Sequence, residues 1–309
     1  MLLKKLKNFL ELVFRGQRFF MPNNSYKVVI LGSGNIGTDL LIKVQRSTKL
    51  DCLALVGRNL NSQGMSTALE LGVKISDRSI QYVIDNADEI DLVFDATSAK
   101  DHKIHSEIIK NLGITCIDLT PAKIGPMCVP SVNALDCLKE PNINMVSCGG
   151  QASIPISKAI ANVHSNIQYL EVVSSIASKS AGPATRINLD EYIKTTEMGL
   201  KRFSKAKQTK AILILNPAEP CINMVTTILA KVKNPNIEEL TKEVIKMSNK
   251  VQEYVPGYQL LLGPLVENDR IVIMFRVKGL GDYLPEYAGN LDIINCAAIA
   301  MAEEYATKG

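Results

Sequence analysis

Residues 147–154 carry the side chain best suited to covalent chemistry, because they place a cysteine where a predicted strand ends and a predicted helix begins. The strand covers residues 142–147, and Cys148 starts the helix. Free backbone N–H groups and the positive end of the helix dipole favour a thiolate there, and the pKa of such thiols falls to roughly 3.5–7.5. Gly149 and Gly150 let a substrate carbonyl approach the sulfur and the backbone donors. The segment predicts a nucleophilic Cys148, and an unreactive buried thiol is the plainer alternative.

A glycine-rich turn of the form G-x-G-x-x-G follows the apolar run 26–31 and opens a helical pattern. The turn consists of Gly32, Ser33, Gly34, Asn35, Ile36 and Gly37. The first glycine permits the tight turn, the second lets a pyrophosphate approach the backbone, and the third allows close packing of helix and strand. In this strand–turn–helix order the motif predicts a dinucleotide-binding site, and a turn without a ligand is the alternative.

The end of the second predicted strand, 52–56, bears on the choice between NAD and NADP. NAD-binding sites have an acidic side chain there that holds the ribose hydroxyls, but this chain has Arg58 and Asn59. An arginine can pair with a 2′-phosphate. The alternative is a solvated Arg58 with Asn59 on the ribose. The sequence therefore predicts NAD and leaves NADP open.

The composition is typical of an enzyme with a sizeable core. The 309 residues are 46% hydrophobic and 21% charged, which most simply gives two domains. The seven cysteines show no CxxC spacing and no secretory signal precedes them, so we expect reduced thiols in the cytoplasm and no metal site. No apolar run is long enough to span a bilayer.

The excess of positive charge is local to the start of the chain. The net charge is +4, and residues 1–20 hold five basic side chains against one acidic, which is also +4. The neutral remainder argues against a nucleic-acid partner. Residues 1–20 form a basic amphipathic extension that could touch a membrane surface or a partner. Alternatively, translation starts at Met21.

Strand-like and helix-like segments alternate as far as residue 148, the pattern of a doubly wound parallel sheet. Strand candidates at 168–177, 210–216, 258–266 and 271–279 then alternate with helices near 189–203 and 236–252. We predict an α/β Rossmann dinucleotide-binding domain plus an α+β catalytic domain with a mostly antiparallel sheet. The predicted division is the 1–20 extension, 21–147 with 288–309 as the NAD(P)-binding domain, and 148–287 as the catalytic and oligomerisation domain.

Seven segments together closely resemble the acylating acetaldehyde dehydrogenases of aromatic-compound degradation. They are GSGNIGTDL (32–40), FDATSA (94–99), DLTPA (118–122), NMVSCGGQA (144–152), SKSAGPATR (178–186), NPAEP (216–220) and YLPEYAGNLDI (283–293). The resemblance implies conversion of acetaldehyde, NAD and coenzyme A to acetyl-CoA, with 4-hydroxy-2-oxovalerate aldolase as the partner that supplies acetaldehyde. A homo-oligomer is expected as well.

The resemblance also implies roles for residues. Cys148 matches the acyl-thioester nucleophile, and Asn290 matches an asparagine on the nicotinamide side. Residues 33–36 match the phosphate-binding turn. A second loop that contacts NAD matches Ser180, Ala181, Gly182, Pro183, Ala184, Thr185, Arg186, Ile187 and Asn188. The alternative for this loop is an ordinary Gly-Pro turn. A thiolate that adds to the aldehyde, loses hydride and passes its acyl group to coenzyme A fits these residues.

The chain departs from the family pattern at the presumed general base. The family carries an Arg-Asp pair where this chain has Val225 and Thr226, and a threonine hydroxyl cannot accept a proton near neutral pH. Glu219 is the nearest carboxylate in sequence, although a structural role is favoured. His102 and His105 are predicted on a surface helix, in solvated or capping roles. The stretch 258–283 is shorter than in the family, which argues against docking to the aldolase.

Three other functions are compatible with the residues. A relative that uses NADPH to reduce a different acyl thioester in a biosynthetic pathway fits Arg58 and Thr226. A catalytically silent NAD(P)-binding partner subunit fits the missing base. A semialdehyde dehydrogenase acting through an acyl phosphate has the same architecture, but it would need a well-placed histidine and arginines for anions.

Overall fold

The computed structural model describes residues 25–182, 186 and 188–308. The predicted extension 1–20 and the predicted loop residues Pro183, Ala184, Thr185 and Ile187 lie outside the described residues.

The first half of the chain builds a six-stranded sheet in which every pairing is parallel, with the order β3-β2-β1-β4-β5-β6. Its strands are β1 Tyr26–Leu31, β2 Leu50–Val56, β3 Lys74–Ser76, β4 Leu92–Asp95, β5 Thr115–Asp118 and β6 Asn142–Asn144. The helices between them are α1 Asn35–Arg46, α2 Gln63–Glu70, α3 Ile80–Asp85, α4 Ala99–Asn111 and α5 Pro130–Cys137. This strand order is that of the Rossmann fold, so the predicted α/β class is confirmed.

The apolar run of β1 shows why this sheet lies inside the protein. Val28 and Ile30 belong to one hydrophobic cluster, and Val29 and Leu31 belong to a second. Successive side chains of a strand point to opposite faces, so both faces of the sheet are covered. The glycine turn therefore starts from a fixed strand end.

The second half builds a five-stranded sheet with the order β10-β11-β9-β7-β8. Its strands are β7 Ile167–Ala177, β8 Gln208–Asn216, β9 Met224–Val232, β10 Tyr258–Glu267 and β11 Arg270–Val277, and its helices are α6 Cys148–Val163, α7 Leu189–Ser204 and α8 Ile237–Gln252. The sheet is mixed, because β7 and β8 pair in parallel and the other three pairings are antiparallel. Sequence analysis misses β9, although its buried and half-exposed residues alternate with the period of a strand.

The last helix, α9 Gly289–Lys308, joins the two halves. The side-chain amide of Asn295 donates to the carbonyl of Ile36 at 3.2 Å and to Asp39 Oδ2 at 2.8 Å on α1. At the other end of α9, the Tyr305 hydroxyl donates to the carbonyl of Cys137 at 2.8 Å. No helix among the described residues is long and apolar enough to cross a membrane.

Candidate active site

The turn between β6 and α6 places Cys148 at the first position of a 16-residue helix. Val146 has a φ of +64°, a left-handed conformation that is unusual for a β-branched residue. Its backbone N–H donates to Asn144 Oδ1 at 2.9 Å. Ser147 caps the helix, since its Oγ accepts from the N–H of Gly150 at 2.9 Å. A constrained turn and a capped helix therefore hold the cysteine in place.

Cys148 is enclosed, with 8% of its surface exposed. Burial raises the pKa of its thiol above the ordinary value, while the Tyr192 hydroxyl, the N–H groups of Gly149 and Cys148 and the Asn290 side chain lower it. The predicted lowering of this pKa is wrong, because desolvation outweighs the donors. The N–H of Gly150 is also unsuited to a substrate oxyanion, since it is already bonded to Ser147. The N–H groups of Cys148 and Gly149 are the donors on the sulfur.

Tyr192 is a site residue that sequence analysis misses. It lies in the first turn of α7, and its phenolic oxygen is buried against the nucleophile segment. A Cβ built on Gly149 would lie 2.2 Å from that oxygen. No motif marks this tyrosine, and the available signal is its position directly after the predicted loop 180–188.

The glycine turn has the geometry of an anion site. Gly32 has a φ of +114°, and a Cβ there would lie 2.5 Å from the carbonyl oxygen of Ala96. Gly34 is the N-cap of α1, without a side-chain cap bond and with nothing within 4 Å of a Cβ position. No acidic residue stands in the first turn of α1. The N–H of Gly32 is bonded to the carbonyl of Val56 at 2.7 Å, so the first N–H groups of α1 are the ones that suit a phosphate.

Arg186, a residue of the second predicted loop, is bonded to Ser178 and Ala181. Its guanidinium donates to the carbonyl of Ala181 at 2.9 Å and to the carbonyl and Oγ of Ser178 at 2.9 and 2.8 Å. Ser180 is buried, and its hydroxyl donates to the carbonyl of Ala177 at 2.8 Å. Nothing lies within 4 Å of a Cβ position at Gly182. Asn188 accepts from the N–H of Tyr192 at 2.9 Å and so begins α7.

Asn290 lies at the start of α9, and its side chain lowers the pKa of Cys148. It is 1% exposed, and neither atom of its amide makes a hydrogen bond of normal length and angle with a described residue. A buried amide normally pairs both its donor and its acceptor. A carboxamide ligand would supply both partners, so this residue fits a nicotinamide.

A lysine cluster of Lys43, Asp39, Asp282, Asp292 and Asn295 anchors the start of α9 to α1. Lys43 Nζ lies 2.8 Å from Asp39 Oδ2, 2.8 Å from Asp292 Oδ1 and 3.4 Å from Asp282 Oδ2. Burial alone would lower the pKa of Lys43, but Asp292 and Asp39 raise it above the ordinary value. The charged lysine therefore holds the helix that carries Asn290 against the helix that follows the glycine turn.

Arg58 and Asn59 follow the end of β2. Arg58 is exposed, and its guanidinium lies 3.7 Å from Asp101 Oδ2. Asn59 Oδ1 accepts from the N–H of Asn61 at 2.9 Å. The Ser62 hydroxyl, which sequence analysis misses, donates to Ser33 Oγ at 2.9 Å. The structure therefore leaves Arg58 accessible and gives Asn59 a turn contact.

A histidine cluster of Asp95, His102, His105, Asp118 and Asn144 joins the ends of β4, β5 and β6. The Nδ1 atoms of His102 and His105 both lie 2.9 Å from Asp95 Oδ2. Both histidines are buried, so their predicted surface location is wrong. They share the buried face of α4 with Ser106 and Ile109, at the i, i+3, i+4, i+7 spacing of a core-facing helix. That spacing is the signal that would have placed them inside.

The charges of this cluster are shifted by burial and by one another. Burial raises the pKa of Asp118 to about 6, although His102, Thr120 and Asn144 oppose the change. Burial alone would lower the pKa of His102, but Asp95 and Asp118 raise it. His102 Nε2 lies 3.4 Å from Asp118 Oδ2, an ion-pair separation without hydrogen-bond geometry. His102 therefore bridges the ends of two strands, through Asp95 and Asp118.

The histidine cluster supports both sides of the site. Asp95 Oδ1 accepts from the N–H of Thr97 at 3.0 Å, in the segment next to Gly32. Asn144 donates to Asp118 Oδ2 at 2.9 Å and also accepts from Val146. The segment beside the glycine turn and the nucleophile turn are therefore tied to one buried network.

Among the described residues, we find no base beside Cys148. The groups that act most on its pKa include no carboxylate and no imidazole. Thr226 is fully buried, and its hydroxyl shares a 2.9 Å hydrogen bond with Ser174 Oγ. Glu219 is exposed and pairs with Lys179 at 2.5 Å, the structural role that the sequence favours.

Comparison with known proteins agrees with this architecture. A family model described as "Prokaryotic acetaldehyde dehydrogenase, dimerisation" matches residues 148–285. The acetaldehyde dehydrogenase of Spirochaeta aurantia is 63% identical over 289 residues, which cover 94% of this chain and 97% of that protein. The acetaldehyde dehydrogenase of Pectobacterium atrosepticum is 58% identical over 283 residues, 91% of this chain and 96% of that protein.

The fold has a distant structural counterpart. Aspartate semialdehyde dehydrogenase II of Vibrio cholerae, in a crystal structure with ASA, aligns with a TM-score of 0.61 at 14% identity over 92% of this chain and 99% of that chain. At this identity the likeness concerns the fold alone. The two acetaldehyde dehydrogenases, each aligned over nearly its whole length, place the chain in the acetaldehyde dehydrogenase family.

Proposed function

We propose that the protein is a CoA-acylating acetaldehyde dehydrogenase, which converts acetaldehyde, NAD and coenzyme A to acetyl-CoA and NADH through a thioester on Cys148. The observation that carries the proposal is the meeting of three features at one sulfur. Cys148 begins α6, two backbone N–H groups face its sulfur, and the unpaired amide of Asn290 adjoins it. The family relationship supplies the reaction class.

The chain offers separate contacts to the parts of a nicotinamide dinucleotide. The turn around Gly34 suits the diphosphate, because its N–H groups are uncapped and its Cβ space is open. The unpaired amide of Asn290 suits the carboxamide. Bound at these contacts, the nicotinamide supplies the hydride acceptor for the oxidation.

The residues around Cys148 divide the work of the acyl transfer. The sulfur attacks the aldehyde carbon, a C–S bond forms, and the negative charge passes to the carbonyl oxygen. The N–H groups of Cys148 and Gly149 are the donors on the reacting side, since the N–H of Gly150 is bonded to the capping Ser147. Enclosure of the sulfur keeps water from the thioester until the thiolate of coenzyme A takes the acyl group.

In this chain, the proton of the Cys148 thiol passes to water. Thr226, which stands where the family has its aspartate, is closed off by its bond to Ser174. Glu219 is held by Lys179 at the surface. Stabilisation of the thiolate by donors takes the place of a strong base.

We further propose that the protein is a homo-oligomer formed through the outer face of the second sheet. Ile212 and Ile214 expose large apolar side chains on β8, at one edge of this sheet, and Leu261 exposes one on β10, at the other edge. Exposed apolar side chains of this size are typical of an interface, and the matched family model is described by dimerisation. Sedimentation velocity at micromolar concentration tests this, and a monomer would contradict it. The free thiols suit the cytoplasm, and the aldolase partner stays a prediction.

The reverse reaction provides the test of function. Purified protein with acetyl-CoA should consume NADH or NADPH, supplied separately and followed by absorbance. Cys148→Ala should reduce turnover to background, because the thioester cannot form. Cys221→Ala is the matched control, since Cys221 is the least buried of the seven thiols. Undiminished turnover in Cys148→Ala would contradict the proposal. No turnover with either cofactor, in protein whose Cys148 still reacts with iodoacetamide, would favour a different acyl thioester.

A further inference from the structure

Helix α7 is attached to the cap of the helix that carries the nucleophile. Thr196 Oγ1 donates to the carbonyl of Tyr192 at 2.7 Å and lies 2.7 Å from Ser147 Oγ. Ser147 Oγ in turn accepts from the N–H of Gly150. The backbone of Tyr192 is thus fixed relative to the first turn of α6.

This attachment places the phenol of Tyr192 beside Gly149, next to the reacting cysteine. The hydroxyl oxygen is fully buried and makes no hydrogen bond of normal length and angle with any described residue. The hydroxyl and the Cys148 thiol affect each other's pKa. A Cβ built on Gly149 would lie only 2.2 Å from the hydroxyl oxygen. Any side chain at position 149 would displace the phenol. A buried hydroxyl without a conventional partner is rare enough to require an explanation.

We propose that Tyr192 is a further catalytic residue, whose phenolic O–H donates a hydrogen bond to the sulfur of Cys148 and stabilises the thiolate. The role applies before attack on the aldehyde and again when the sulfur leaves the thioester. The role of Tyr192 when the sulfur leaves the thioester rests on the proposed acylating function. Its role in stabilising the thiolate before attack concerns Cys148 alone.

The phenol serves as a donor and not as a base. Burial and the adjacent Cys148 raise the pKa of Tyr192 well above its ordinary value, so the O–H keeps its proton near neutral pH. The same contact lowers the pKa of Cys148 against the effect of burial. A neutral donor beside a buried thiolate supplies part of the stabilisation that water would give.

The acyl-transfer step balances with this assignment. The thiolate of coenzyme A adds to the thioester carbon, and the bond between that carbon and the Cys148 sulfur breaks. The electron pair of the broken bond returns to the Cys148 sulfur. The Tyr192 O–H donates a hydrogen bond to the thiolate that results. Tyr192 itself gains and loses no proton. Removal of the Tyr192 hydroxyl is therefore expected to change kcat and to leave the KM for coenzyme A unchanged.

Alkylation of Cys148 by iodoacetamide tests the proposal without any substrate. The rate is followed from pH 7 to pH 11 by mass spectrometry of the peptide that contains Cys148. Tyr192→Phe removes only the hydroxyl, and we expect the midpoint of the Cys148 profile to move up by about one pH unit. Tyr258→Phe is the matched control, since its buried hydroxyl donates to the carbonyl of Ala152 on the same helix, away from the sulfur.

An unchanged midpoint in Tyr192→Phe would overturn the proposal, as would an equal shift in Tyr258→Phe. Thermal unfolding of both variants shows whether each is folded. A shifted midpoint in protein that fails to turn over acetyl-CoA would support the role of Tyr192 and reject the proposed reaction. Where turnover occurs, we expect kcat to fall about tenfold in Tyr192→Phe.

Discussion

The lysine cluster and the histidine cluster are both buried and both join separate elements, but they are built from groups with different pKa values. In the lysine cluster, carboxylates surround an ammonium whose pKa is raised above its ordinary value. In the histidine cluster, His102 lies between Asp95 and Asp118, whose pKa is raised to about 6. The pKa of Lys43 is thus shifted away from neutral pH, whereas the pKa of Asp118 is shifted towards it.

The two clusters also connect different parts of the candidate site. The lysine cluster ties α9, which carries Asn290, to α1. The histidine cluster ties Thr97 and Val146, which flank the glycine turn and the nucleophile. We therefore expect the support of the nucleophile turn to depend more on pH than the contact between the two cofactor-side helices. Three substitutions test this contrast.

Lys43→Met should have the largest effect on stability. Removal of the ammonium leaves Asp39 and Asp292 buried without their cation, which costs about 3–5 kcal/mol. Without the ammonium, burial raises the pKa of Asp292 further in the folded state. A raised carboxyl pKa gives stability at low pH that is lost as pH rises through the folded value. The loss measured by urea unfolding should therefore be larger at pH 9 than at pH 6.

Lys49→Met is the matched control for that substitution. Lys49 also links the first half to α9, through a 3.0 Å bond to Thr307, but it is exposed. We expect a change below about 0.5 kcal/mol. Equal losses in the two variants would show that burial of the charge is not what makes Lys43 important.

His102→Gln should cost about 3 kcal/mol at pH 6, because a buried imidazolium between two carboxylates is removed. The pKa of His102 is raised in the folded protein. Its stabilisation is therefore complete below the unfolded pKa of about 6.5 and is lost as pH rises through the raised value. The loss measured by urea unfolding should shrink towards pH 9, opposite to the trend in Lys43→Met.

His105→Gln is the control for this pH dependence, since His105 contacts only one carboxylate of the cluster, Asp95. A loss in His102→Gln that stays constant from pH 6 to pH 9 would mean that His102 is neutral in the folded protein.

Local signals in the sequence predict much of the fold. The apolar run of β1 and the glycine turn are continuous in the chain, so the Rossmann half follows from periodicity and motif. The parallel pairing of β7 with β8 does not follow, because strand direction depends on how α7 crosses the sheet. Strand β9 directly follows the proline-containing turn of 216–220, which hides its alternating pattern.

The candidate site divides in the same way. Cys148, the glycine turn and Asn290 lie within motifs that can be read directly. Tyr192 reaches the sulfur only because α7 packs against α6, through a contact between Ser147 and Thr196 that are 49 residues apart. The raised pKa of Cys148 is also a tertiary effect, since the helix dipole is visible in sequence and burial is not.

Arg58→Asp contrasts an exposed ion pair with the two buried clusters. Arg58 lies 3.7 Å from Asp101 with 76% of its side chain exposed, and such pairs contribute about 0–1 kcal/mol. Stability should therefore change little. The ratio of kcat/KM for NADPH to that for NADH should fall about tenfold, because an arginine that can pair with a 2′-phosphate becomes an acid that can hold the ribose hydroxyls.

Lys250→Asp makes the corresponding reversal of charge at an exposed position on α8. It should leave the cofactor ratio unchanged, since α8 belongs to the second half. An unchanged ratio in Arg58→Asp would mean that Arg58 has no part in cofactor choice. A large loss of stability in Arg58→Asp would mean that its contact with Asp101 is structural, like those of the buried clusters. The expected pattern, a changed preference at constant stability, would assign the exposed arginine to ligand recognition and the buried charges to the framework.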